Sequence, residues 1–214
     1  MSKVISLLSS KGGAGKTTIS TNLAQGLFRM GKKVLVADSD PQASSRDWSL
    51  QAPDEYNMVP VLGVGAKTME KEIASVRDSY DYIIIDGAAK MEAAKMVPTI
   101  KVSDLVLVPV QPSSVDIWAI EDLIDVLKAR LDAVGKPLVN FLISRQITGT
   151  VIAGDVFEVL KEKELPILNA RTSQRVVFAE ALSAGLSVYE AEPDGKAQQE
   201  IEALIEEVTG LIDG

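Results

Sequence analysis

The run Ser10-Lys11-Gly12-Gly13-Ala14-Gly15-Lys16-Thr17-Thr18 directly follows the apolar segment Val4-Ile5-Ser6-Leu7-Leu8, and it constrains this chain more than any other stretch. Glycines between a buried strand and a helix start permit a tight turn whose backbone N–H groups aim at one point, where the positive end of the helix dipole also lies. Such a turn is suited to phosphate. The run follows the pattern GxxxxGK[ST], with Ser10 at the position of the first glycine. In that pattern Lys16 reaches the terminal phosphates and Thr17 places a hydroxyl on Mg2+. Lys11 is a second lysine where the ordinary loop has none.

Apolar runs rich in β-branched residues alternate along the chain with segments of helical period. The expected strands are Val4–Leu8, Lys33–Ala37, Met58–Val64, Tyr82–Ile85, Leu105–Val110 and Leu138–Ile143, with a short one near Pro166–Leu168. Runs of this kind are buried on both faces, so an α/β architecture is predicted: a mostly parallel twisted sheet with helices on both faces. A chain of 214 residues suits one domain, 1–214, with a full core. The clearest helix is Ile117–Val134, with Ser113 and Ser114 as candidate caps and Gly135 and Pro137 ending it. A last helix is expected near Gln198–Ile212. The least regular region is 42–57, where Pro41 and Pro53 interrupt any helical pattern.

Composition removes several chemistries. The chain has Cys 0 and His 0, which excludes disulfides, cysteine-held clusters and imidazole bases, so any catalysis falls to carboxylates, lysines or a bound cation. No apolar run approaches the ~18 residues of a membrane span, and the N-terminus has no signal-peptide pattern, so a cytoplasmic protein is expected. A net charge of −8 argues against a general nucleic-acid coat. Screening beyond about 8 Å still leaves room for a local basic patch.

The residues able to do chemistry follow the apolar runs: Lys11–Thr17, Asp38-Ser39-Asp40-Pro41-Gln42, Asp86-Gly87, Gln111-Pro112 and Ser144-Arg145. Ligands of an open parallel sheet bind outside the carboxyl ends of its strands, so these five loops are expected to converge on one site. Asp38 and Asp40, spaced i, i+2 on an extended segment, point the same way. Either one holds the water shell of a magnesium ion while the other orients a water, or the two form a turn beside Pro41. Asp86 ends an apolar strand, as a Mg2+-holding aspartate does and as an ordinary turn residue also does.

Lys11–Thr18, Asp38–Gln42 and Ile84-Ile85-Asp86-Gly87 together resemble the deviant Walker A ATPases of the ParA/MinD family. The segments Val108-Pro109-Val110-Gln111-Pro112-Ser113 with Asp116, Phe141–Arg145, Thr172–Arg175 and Gly185–Glu190 are similar to later segments of its short, ParF-like members. The resemblance covers nearly the whole chain. It implies a single-domain P-loop NTPase fold with no N-terminal helix-turn-helix, and ATP/ADP and Mg2+ as cofactors. In that picture Gly12, Gly13, Ala14, Gly15 and Thr18 line the phosphates, Lys16 binds the β- and γ-phosphates, and Lys11 crosses a nucleotide-sandwich homodimer. Thr17, Asp38 and Asp86 serve the metal, and Asp40 polarises the attacking water, so the catalytic set is Lys11, Lys16 and Asp40. Pro112 and Arg145 match segments near the adenine, with Ser144 where the MinD branch has Asn. Arg145 reads equally as a surface arginine at a strand end.

The same comparison narrows the function. Iron-protein relatives need cysteines that are absent here. The last helix carries Glu200, Glu202, Glu206, Glu207 and Asp213, which anionic lipid would repel, so it is expected to pack on the core and not on a membrane. The resemblance then implies a dimerising ATPase that binds DNA non-specifically. It would drive plasmid or chromosome partition, or cargo positioning on the nucleoid, with a centromere-binding or ParB-like adaptor. Arg171, Arg175 and Lys196 are the candidate DNA contacts, and they read equally as solvated charges. The alternative is a nucleotide-gated protein-interaction switch that does not bind DNA.

Overall fold

The computed structural model describes residues 2–214 apart from 90–91, 114–117, 119 and 148–151. Among the described residues one parallel sheet runs in the order β3-β2-β4-β1-β5-β6-β7. Its strands are β1 Lys3–Leu7, β2 Val34–Asp38, β3 Val61–Gly63, β4 Tyr82–Asp86, β5 Leu105–Val110, β6 Leu138–Gln146 and β7 Ile167–Ser173. The helices that flank it are α1 Lys16–Arg29, α2 Ser44–Gln51, α3 Met69–Val76, α4 Val97–Val102, α5 Glu121–Val134, α6 Ile152–Glu162, α7 Val176–Ser183, α8 Val188–Ala191 and α9 Lys196–Asp213.

Alternation along the strands divides the core into layers. Ile5, Leu7, Val36 and Ile84 pack with α1, α7, α8 and α9 on one face. Val4, Leu35, Ile83 and Ile85 pack with α3 on the other, where Val106, Val108, Phe141 and Ile143 meet α4, α5 and α6. Each buried aliphatic side chain contributes about 1.5–3 kcal/mol against exposure. The expected doubly covered parallel sheet is therefore the fold found. Among the described residues no helix is long and apolar enough to cross a membrane.

The departures from expectation have local causes. Of the expected Met58–Val64 run only Val61–Gly63 forms strand β3, at the sheet edge; Pro60 O and Val64 N still bond to Val36 N and Asp38 O of β2, while Val59 N turns to Gln25 Oε1. Strand β6 continues past Ile143 and takes in Ser144 and Arg145, which were expected in a loop. The register to β7 shifts there, and Arg145 has φ 53, the geometry of a bulge. Strand β7, the other edge, is longer than expected because α9 supplies its missing partners. Glu207 accepts from the Asn169 and Ala170 N–H groups and Glu200 from that of Ser173, so two carboxylates of the acidic helix face protect an edge.

Helix α2 occupies the region expected to be irregular. Pro41 and Pro53 flank it instead of interrupting it, and its Trp48 is buried, with the indole Nε1 donating to Leu186 O at 2.8 Å. Helix α5 begins at Glu121 with Ile120 at the cap position and no side-chain cap, so Ser113 does not cap it. Ser114, Asp116 and Ile117 lie outside the described residues. Gly135 ends α5 as expected, at φ 66, with its N–H on Leu131 O at 2.7 Å. Helix α9 buries Ile201, Leu204, Ile205, Val208 and Ile212 and leaves Leu211 partly exposed.

Gly185 sits at φ +70, and a Cβ there would run into the backbone of Gln51 and Ala52 at the end of α2. Gly185→Ala should therefore cost about 2 kcal/mol or more, from left-handed strain and overpacking together. Urea unfolding of the variant checks this, and an unchanged midpoint would contradict the packing described.

Candidate functional site

The glycine-rich run folds as a turn into α1. Gly13 has φ 81 and Gly15, at the helix N-cap position, φ 89, left-handed conformations that favour glycine. Nothing lies within 4 Å of where a Cβ on Gly13 would be, so the turn is open on that side. Strand ends brace it from behind. Arg145 Nη1 donates to Gly13 O at 3.0 Å, Gln111 Nε2 to the same oxygen at 2.5 Å, and Ser144 Oγ to Ala14 O at 2.9 Å. Lys16 is buried, with Nζ on Lys11 O at 3.1 Å. Burial holds its ammonium below the ordinary lysine pKa, against the opposite pull of Asp86 and Asp40.

Asp86 ends β4 with 0% of its surface exposed. Its Oδ2 accepts from Thr17 Oγ1 at 2.8 Å and Ser45 Oγ at 2.7 Å, while the Ser20 hydroxyl, 3.3 Å from Oδ1, donates to Lys16 O at 2.8 Å. Burial pushes its pKa up to about 6, opposed by the Ser45 and Thr17 hydroxyls and by Lys16.

Asp38 and Asp40 serve different partners. Asp38 Oδ1 accepts from Asp40 N at 2.9 Å, closing the turn, and Oδ2 accepts from Arg46 N at 3.1 Å and Arg46 Nε at 3.2 Å. Asp40 Oδ1 accepts from Gln42 N and Oδ2 from Ala89 N, both at 2.9 Å. The expectation that the two carboxylates point the same way is corrected, because a short carboxylate at a strand end reaches the N–H two residues on. Asp38 is the buried partner of Arg46, whereas Thr17 and Asp86 meet each other.

Of these groups Lys16, Thr17 and Asp40 border a cleft of about 680 Å3, while the buried Asp38 and Asp86 are not among its lining residues. Gly13, Gly15, Lys16, Thr17, Asp40 and Ala89 line it along with the apolar side chains Ile19, Val176, Phe178 and Leu182. A phosphate-sized turn beside an apolar wall fits a nucleotide in chemistry and in size. The Thr17 hydroxyl and the Asp86 carboxylate are hard oxygen donors that fit Mg2+. No group of three or more acidic side chains able to hold a metal occurs among the described residues.

Of the two residues matched to the base, Arg145 lines the cleft and braces the turn, while Pro112 is not among the lining residues. The basic candidates disperse. Arg171 lies over the Phe157 ring at 5.5 Å, beside Lys161 at 4.8 Å. Arg175 borders the cleft and gives Nε and Nη2 to Glu200 Oε1 at 3.0 and 2.7 Å. Lys196 is exposed at the start of α9. Sequence reasoning missed Ser20, Ser45, Arg46 and Phe178. Ser20 was within reach, since it sits three residues after Thr17 on the same helix face. Ser45 and Arg46 belong to the helix that the prolines concealed.

A family model described as the CobQ/CobB/MinD/ParA nucleotide binding domain matches residues 5–188. The chain is 27% identical over 200 residues to "Maintenance of carboxysome distribution protein A" of Halothiobacillus neapolitanus, covering 92% of each protein. Its fold is similar to that of MinD from Pyrococcus horikoshii complexed with Mg-ADP, with TM-score 0.78 at 22% identity over 99% of this chain and 97% of that one. It is also similar to a Cyanothece McdA variant in complex with ATP, with TM-score 0.76 at 18% identity over 97% and 96%.

A carboxyl whose pKa rises from 3.8 to about 6 on folding binds its proton more tightly in the native state. Its stabilising contribution is complete below pH 4 and is lost as pH rises through 6, a cost of about 3 kcal/mol at neutral pH. The thermal midpoint of nucleotide-free Asp86→Asn, relative to wild type, should therefore climb between pH 4 and pH 7. A difference that stays flat over that window would contradict the burial argument.

Proposed function

Because this chain belongs to the CobQ/CobB/MinD/ParA nucleotide-binding family, we propose that it is a Mg2+-dependent ATPase that dimerises on ATP and positions a cargo on DNA through an adaptor protein. The observation that carries the reading is the convergence of Lys16, Thr17 and Asp40 at one cleft beside the glycine-rich turn, with Asp86 held directly behind Thr17 by its hydroxyl. Backbone N–H groups and the α1 N-terminus hold the phosphates, and Lys16 adds a partly desolvated positive charge. Thr17 and Asp86 would hold Mg2+, which when bound offsets charge on the transferred phosphoryl group. Asp40, fixed by the Gln42 and Ala89 amides, orients a water for attack. Positioning and charge compensation are what phosphoryl transfer needs most. The partner subunit's Lys11 would complete the charge around the phosphates and make turnover depend on dimerisation.

Cargo positioning is preferred over plasmid or chromosome partition because a relative of matching length is named for maintaining carboxysome distribution. A ParB-like adaptor and a nucleoid location follow from that reading. Arg171 and Lys196 remain the better DNA candidates, since the charge of Arg175 is already paired with Glu200. That pairing and the net charge of −8 favour a second reading, a nucleotide-gated protein switch that leaves DNA alone.

Lys16→Ala should abolish nucleotide binding in a fluorescent-nucleotide titration. Lys11→Ala should bind ATP as a monomer, so a stable ATP dimer of that variant in light scattering would contradict the cross-subunit role. Asp40→Ala should keep the ATP dimer and turn over about 100-fold more slowly. Retention on DNA at low salt, compared with ATP, ADP and no nucleotide, separates the two readings. ATP-specific retention supports the first, and its absence leaves the second.

A further inference from the structure

The first turn of α2 gives two consecutive side chains to the aspartates of the site. Ser45 donates to Asp86, which anchors the helix to β4. Arg46 does more. Its backbone N and Nε both go to Asp38 Oδ2, at 3.1 and 3.2 Å, while Nη2 of the same guanidinium donates to Asp40 O at 3.3 Å. One planar group therefore spans both ends of the Asp38–Asp40 turn. Its aliphatic stem lies against Gly63 of β3, where an added Cβ would come within 3.1 Å of Arg46 Cδ. The side chain of Asp38 is fully buried, so the pair is shielded on the aspartate side and its hydrogen bonds are charge-assisted.

Asp40 turns its carboxylate to Ala89 N and Gln42 N and lines the cleft, whereas Arg46 is absent from the lining. We infer that Arg46 is a positioning residue for Asp40: by bridging the Asp38 carboxylate and the Asp40 carbonyl it fixes the turn that presents the Asp40 carboxylate to the cleft. This rests on the reading of Asp40 as the water-orienting group. The geometry calls for a fork of donors, and an ammonium cannot reproduce it. A lysine at this position could keep the charge beside Asp38 but could not span both acceptors with the same planar group.

Arg46→Lys and Arg46→Met test the inference with two readouts. In nucleotide-free protein, amide hydrogen exchange at Ala89 reports the Asp40 contact directly, and it should quicken about tenfold in both variants while the amides of β4 keep wild-type protection. In ATP hydrolysis, kcat should fall about 10- to 100-fold with KM within about twofold of wild type, because a misplaced acceptor costs rate and not binding. If the methionine variant does not fold, the lysine variant, which retains the charge, carries the test. Wild-type exchange together with wild-type kcat would overturn the inference. So would a raised KM at unchanged kcat, which would put Arg46 on the nucleotide itself. If wild type shows no ATP hydrolysis while Ala89 loosens in Arg46→Lys, the hold on Asp40 stands and the catalytic reading of Asp40 falls.

Discussion

At the end of β4 a carboxylate with no exposed surface is held by the Thr17 and Ser45 hydroxyls, and the arrangement of the site depends on that contact. Burying a charge costs several kcal/mol unless hydrogen bonds compensate. Thr17 compensates Asp86 from α1, and Ser45 does so from α2. The sheet puts the carboxylate within reach of both helices, since Leu7 of β1 and Asp38 of β2 stand in register with Asp86 on either side. The loops that follow these three strands therefore leave the sheet side by side. The glycine-rich turn, the Asp38–Asp40 turn and the residues after Asp86 converge because of that shared register.

The contacts extend beyond the cleft. Helix α2 reaches Leu186 through the Trp48 indole, and Gly185 lies against its C-terminal end. From Leu186 the chain enters α8, capped by Ser187 and Glu190, and the Val188 amide returns to α1 on Asn22 Oδ1 at 2.8 Å. A closed circuit of α1, α2 and α8 thus surrounds the apolar core on that face. The first turn of α1 also meets α2 through Asp86, which accepts from both Thr17 and Ser45.

Much of this was legible in the chain. Strand β5 has the expected bounds, and β1, β2 and β4 differ by a residue or so, because runs buried on both faces announce themselves through composition. The glycine-rich turn and its strand-to-helix context were equally plain, since only that arrangement uses glycine at two left-handed positions beside a lysine. Sheet order was not legible, as it depends on contacts distant in sequence. Helix α2 was hidden because its stability comes from one buried indole and from hydrogen bonds to two aspartates, and not from a periodic apolar face. The edge-protecting roles of Glu200 and Glu207 were hidden for a related reason: an acidic helix face looks the same in sequence whether it meets water or the N–H groups of a strand. Arg46 could not be assigned without knowing that Asp38 is buried.

On the proposed reading, Thr17 and Asp86 would hold a magnesium ion beside a nucleotide bound in this cleft. Calorimetric titration of ATP into wild type and Thr17→Ala, with Mg2+ and with a chelator, tests it most directly. Mg2+ should tighten ATP binding to wild type, and the Thr17→Ala protein should lose most of this enhancement. An ATP affinity indifferent to Mg2+ in wild type, or an enhancement that survives intact in Thr17→Ala, would contradict it.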